Sequence, residues 1–161
     1  LLWLNILAER AQPVAEILSD HWQQFGRNYY SRHDYEAVPT EQANALMEGL
    51  RARLPDLPGT TVGGLQVTEA DSFSYHDPID GSVSENQGLR LSFEGGARGV
   101  LRLSGTGTEG ATLRVYLEQY APADASHDTP VEEALAEVRN AVIELTDMAH
   151  HIGRTDPDVK T

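Results

Sequence analysis

The chain opens on an apolar run, Leu1–Ala8, broken only by Asn5. A stretch apolar on every face predicts a helix packed on all sides. Pro13 then opens a second helix with Val14, Ile17, Leu18, Trp22 and Phe25 on one stripe, closed by Gly26. Residues 28–38 read as extended. A third helix follows, capped by Thr40, with Ala43, Leu46, Met47, Leu50 and Leu54 as its buried stripe. Strand signals at 65–67 and 73–76 lead into a turn at Asp77-Pro-Ile-Asp-Gly81, where Asp77 caps backbone N–H groups. Leu89, Leu91 and Phe93 alternate with Arg90, Ser92 and Glu94. Gly95-Gly96 turns the chain into a strand at 99–103, and Leu113, Val115 and Leu117 give another. A single helix is predicted from Pro130 to His150, opened by a Thr129–Glu132 capping box and burying Val131, Leu135, Val138, Val142, Leu145 and Met148. Close-set strands flanked by separate helices predict an α+β fold with a mainly antiparallel sheet.

The last two strands are joined by the richest segment of the chain, Arg102-Leu-Ser-Gly-Thr-Gly-Thr-Glu-Gly-Ala-Thr-Leu-Arg114. Glycines permit positive φ and let successive N–H groups converge into an anion nest. Ser104, Thr106 and Thr108 add donors, and the flanking arginines can grip phosphate oxygens two at a time. Arg102, Ser104, Gly105, Thr106, Gly107, Thr108 and Arg114 are therefore the candidate phosphate clamp. Gly105-x-Gly107-x-x-Gly110 also spells a dinucleotide fingerprint, but that motif needs a helix after the loop and a strand is predicted there. A kinase glycine-rich loop fits between strands, yet the only lysine is Lys160 and no Asp-Phe-Gly exists. Glu109 repels an anion unless it points outward and is assigned no contact.

Charge sharpens this picture. Among the 161 residues, 12 Lys+Arg against 25 Asp+Glu leave a net charge of −13, which opposes nucleic-acid binding. Between Arg98 and Arg114 the balance reverses, with three arginines to one acid, so a local anion site stands in an acidic protein. Cysteine is absent, which excludes disulfides and suits the cytoplasm. The opening run falls far short of the roughly 20 residues needed to span a bilayer, and no membrane role is expected.

Several groups have an ordinary explanation. His150 and His151 point about 100° apart on a helix and read as solvated helix-end residues, not metal ligands. Glu132, Glu133, Glu137 and Glu144 form a solvated face. Arg27 and Arg32 can reach a ligand or pair with Asp34 or Glu36.

With the loop stand four further segments: Gly26-Arg-Asn-Tyr-Tyr-Ser-Arg-His-Asp-Tyr-Glu36, Tyr75-His-Asp-Pro-Ile-Asp-Gly-Ser-Val-Ser84, Asn86-Gln-Gly-Leu-Arg-Leu91 and Gly153-Arg-Thr155. Together and in this order they resemble the α-D-phosphohexomutases, especially the branch that acts on glucose phosphates. The resemblance covers nearly the whole chain but only that family's fourth, C-terminal domain. It implies a TATA-binding-protein-like domain without DNA function, at 26–161. Residues 1–25 are then terminal helices of the preceding domain and linker. The complete enzyme, by the same resemblance, interconverts glucose 1-phosphate and glucose 6-phosphate through glucose 1,6-bisphosphate, using magnesium and a phosphoserine housed in the N-terminal domains. The present clamp holds the non-reacting phosphate, with a hinge near Gly26, and the chain alone binds no cofactor and is inactive. Ala125-Ser-His-Asp-Thr-Pro130 imitates the family's serine loop but lacks its leading threonine and follows the phosphate loop, so Ser126 is not a nucleophile. A free-standing phosphosugar-binding module and an acidic protein–protein interaction domain are the alternatives.

Overall fold

The computed structural model describes residues 1–107 and 110–161, with only the backbone of Thr106 and Gly107. Two N-terminal helices, α1 (Leu2–Arg10) and α2 (Val14–Phe25), precede strand β1 (Arg27–Val38) and helix α3 (Thr40–Arg53). Then come β2 (Thr61–Val62), β3 (Leu65–His76), β4 (Val83–Phe93), β5 (Ala97–Gly107) and β6 (Gly110–Ala121). Three helical pieces, α4 (Val131–Ala134), α5 (Ala136–Leu145) and α6 (Met148–Ile152), lead to the short strand β7 (Val159–Lys160). The sheet order is β2-β3-β4-β5-β6-β1-β7, and every neighbouring pair is antiparallel. This is the α+β architecture that the alternation predicts.

Alternation decides the two faces of the sheet. Tyr35, Leu89, Leu91, Leu101, Leu113, Val115 and Leu117 are buried together with the α3 stripe Ala43, Leu46, Met47 and Leu50 and with Val138 and Val142 of α5. Gly99 is what lets α5 approach, since a Cβ there would lie 2.4 Å from Val142 Cγ2. The opposite face carries Arg32, Asp34, Arg90, Arg98, Arg102, Arg114, Tyr116 and Glu118. Ion pairs tie much of it down, with Arg90 on Asp71 at 2.6 Å and Arg98 on Glu118 at 2.7 Å.

Several expectations need correction. Thr40 makes no capping bond; Pro39 occupies the N-cap position. The two strand signals at 65–67 and 73–76 are one strand, β3, carrying two register shifts. The single C-terminal helix is broken twice. At its second break the buried Thr146 hydroxyl donates back to the carbonyls of Val142 (2.8 Å) and Ile143 (3.1 Å), and Asp147 turns left-handed with φ 46°. Thr129 forms no capping box: α4 has Pro130 at its N-cap with no side-chain bond, and Glu132 pairs with Lys160 at 2.8 Å. Val131, expected inside, is exposed. Helix α1 is apolar but buries none of its side chains. No helix among the described residues is long and apolar enough to cross a membrane.

Candidate phosphate-binding site

Strands β5 and β6 are the two arms of the glycine-rich segment, so the loop lies between strands as its flanking pattern predicts. In the pairing, Arg102 stands directly opposite Arg114 and Ser104 opposite Thr112, before the register slips towards Gly107 and Gly110. Gly105 (φ 69°) and Gly110 (φ 94°) hold left-handed conformations that a side chain disfavours. Arg102, Leu103, Ser104, Arg114 and Tyr116 line a concavity of about 170 Å³, several times a water's share of liquid volume, about 30 Å³. The structure thus brings Arg102, Ser104 and Arg114 together, and Gly105, next in the chain, is exposed. Thr106 and Gly107 belong to β5 by their backbone, and Thr108 and Glu109 lie outside the described residues.

Neighbouring strands seat both arginines. Arg102 donates to Gln87 Oε1 at 3.2 Å, and its stem lies over Gly88, where a Cβ would sit 2.9 Å from Arg102 Cγ. Arg114 is directly opposite Asp34 of β1, with Nε 3.9 Å from Asp34 Oδ2. The other carboxylate oxygen, Oδ1, accepts from Arg32 Nε at 2.9 Å. Two guanidinium groups, those of Arg32 and Arg114, therefore share the Asp34 carboxylate. Like charges directly opposite on a sheet are destabilising, a cost that an anion between Arg102 and Arg114 would offset.

The remaining candidates fall out differently. Arg32 pairs with Asp34, whereas Arg27 stacks over the Trp22 ring (4.2 Å) and the Tyr29 ring (4.0 Å) and donates to the His127 carbonyl. Asp77 Oδ1 accepts from the Ile79 N–H at 2.7 Å, as expected of a turn aspartate. The exposed Ser126 sits in the loop before α4. Among the described residues no three His, Cys, Asp or Glu side chains converge to hold a metal, His150 and His151 included.

A second concavity, of about 180 Å³, lies between the core side of β1 and α4–α5, lined by Ser31, His33, Glu132, Arg139, Asp156 and Lys160 among others. Its cations are already matched, Lys160 by Glu132 at 2.8 Å and Arg139 by Asp156 at 2.9 Å. Burial first, then Lys160 and Arg139, push the His33 pKa below its ordinary 6.5, and His33 Nδ1 is buried without a partner. The site on β5–β6 instead sets two cations directly opposite each other beside a concavity.

Sequence reasoning missed Asp34, Gln87, Gly88 and Tyr116 as neighbours of the clamp. Gln87 and Gly88 stand in the 86–91 segment, but nothing local in Asp34 marks it, because its partnership depends on strand register.

Comparison with known proteins gives the family. The family profile "Phosphoglucomutase-1, C-terminal domain" matches residues 27–158. The chain belongs to the phosphoglucomutase family. Its whole length is 52% identical to 30% of the phosphoglucomutase of Rhizobium radiobacter, and 44% identical, over 170 aligned residues, to 30% of human Phosphoglucomutase-1. The open form of parafusin, a phosphoglucomutase from Paramecium, superposes with a TM-score of 0.85 at 41% identity, covering 99% of this chain and 28% of that one. The chain thus spans about three-tenths of the length of its phosphoglucomutase relatives and corresponds to their C-terminal domain.

Proposed function

We propose that this chain is the phosphate-holding C-terminal part of an enzyme that interconverts glucose 1-phosphate and glucose 6-phosphate through glucose 1,6-bisphosphate. Membership of the phosphoglucomutase family supports the reaction. The observation that carries the site is the facing pair Arg102 and Arg114, with Ser104 beside them at the concavity. Each guanidinium can offer two parallel N–H groups to phosphate oxygens, and the Ser104 hydroxyl adds a third direction. Gly105, Thr106, Gly107 and Thr108 complete the clamp in this reading. Such a site recognises the phosphate and not the sugar, which suits a substrate whose two phosphorylated ends exchange places. Its binding energy is remote from the reacting end and serves to position it.

Magnesium and glucose 1,6-bisphosphate are assigned to the complete enzyme. The described side chains here do not fit a metal, and no chemical step is derived through one. Residues 1–25 are read as terminal helices of the preceding domain, a reading supported by the exposed apolar side chains of α1. The remaining partners are glucose phosphates and the N-terminal domains, in a cytoplasmic setting that the absence of cysteine suits.

Calorimetric titration of the complete enzyme with glucose 6-phosphate tests the site. Arg102→Ala is expected to raise Kd about tenfold or more, the loss of charge-assisted bonds worth about 1.5–3 kcal/mol. An unchanged Kd rejects the clamp.

A further inference from the structure

We propose that Asp34 is a positioning residue of the clamp, its carboxylate setting the direction in which Arg114 presents its guanidinium. The proposal rests on the phosphate reading above. Asp34 is 5% exposed, although its strand neighbours on the same face are open to solvent or half-buried. It begins a row that runs across three strands, Asp34 of β1, Arg114 of β6 and Arg102 of β5. Arg114 Nε is buried without a hydrogen-bond partner, and Asp34 Oδ2 lies 3.9 Å away. A movement of about an ångström brings that N–H within hydrogen-bond reach.

Arginine carries five N–H donors in a rigid planar fork. Anchoring it at Nε leaves its terminal amino groups for a ligand. Pairing the terminal groups themselves with Asp34 would withdraw them from phosphate. Arg32 works against that alternative, because its Nε already occupies Oδ1 at 2.9 Å and leaves Arg114 one oxygen instead of two. Gln87 gives Arg102 a neutral anchor from the other side, at 3.2 Å.

Direction and charge predict opposite signs. Replacing Asp34 with asparagine removes a negative charge beside the site, so field strength alone makes phosphate binding tighter. A positioning role makes it weaker, because the guanidinium loses its charged anchor.

The test is a double-mutant cycle in the complete enzyme, with the Kd for glucose 6-phosphate read by calorimetry for wild type, Asp34→Asn, Arg114→Ala and the double variant. Asp34→Asn is expected to weaken binding about tenfold and to add no further loss once Arg114 is alanine. Equal or tighter binding by Asp34→Asn overturns the proposal, as does the same loss on both backgrounds. Wild-type affinity in Arg114→Ala instead rejects the phosphate reading itself. If Asp34→Asn does not fold, Arg32→Gln carries the test, since it frees both Asp34 oxygens to capture Arg114. Weakening that vanishes without Arg114 supports the proposal, and weakening that persists there, or none, overturns it.

Discussion

Arg102 reaches the concavity only because residue 88 has no side chain. A Cβ at Gly88 would stand 2.6 Å from the Leu101 carbonyl oxygen, 2.9 Å from Arg102 Cγ and 2.9 Å from Phe73 Cε1. Two of these neighbours are backbone or ring, so the arginine stem is the part that must move. Gly88→Ala is therefore expected to cost about 1–3 kcal/mol of stability and to weaken glucose 6-phosphate binding together, read by thermal unfolding and calorimetry. Wild-type values in both measurements contradict this seating of Arg102. At this scale the candidate clamp was legible where composition marks chemistry: hydroxyls, glycines and arginines crowded into 102–114. Asp34 was not legible, since a carboxylate between Arg32 and Tyr35 looks like any solvated strand residue until β1 is placed against β6.

Strands β4, β5 and β6 followed from alternation because one face is buried against α3 and α5 and the other is polar, which fixes register strongly. The C-terminal helices were harder. Their apolar positions keep helical spacing through both breaks, so periodicity does not reveal where Thr146 diverts the backbone carbonyls. The seam that α4 and β7 form with β1 also buries His33, whose pKa is pushed below 6.5 by burial, Lys160 and Arg139, against weaker opposing effects of Glu132 and Asp34. On acidification the unfolded chain takes up a proton near the ordinary value, whereas the folded chain resists it. Stability at this residue is complete above that pH and is lost as pH falls through 6.5 towards the lowered folded value. Asp158, lowered by the Glu36 backbone N–H, and Glu132, lowered by Lys160, act below the ordinary carboxylate range and lie outside this window. The unfolding temperature is expected to drop between about pH 7 and about pH 5.5, and less so in His33→Asn. An equal drop in both proteins excludes His33 as the cause.

At the scale of the whole molecule, a chain of net charge −13 sets Arg32 and Arg114 on one buried carboxylate, with Arg102 opposite Arg114 on the next strand. Such a contrast can focus an anion onto one place. The chain's relatives are over three times its length, and the exposed apolar α1 and the open clamp face both fit a role beside further domains. The most direct test is the kcat/KM of the complete enzyme for glucose 1-phosphate in Arg102→Ala, Arg114→Ala and Arg114→Lys variants of unchanged thermal stability. Each alanine variant is expected to lose about tenfold to a hundredfold, and Arg114→Lys nearly as much as Arg114→Ala because the planar fork is lost while the charge stays. Values within about twofold of wild type in both alanine variants contradict a phosphate clamp at β5–β6.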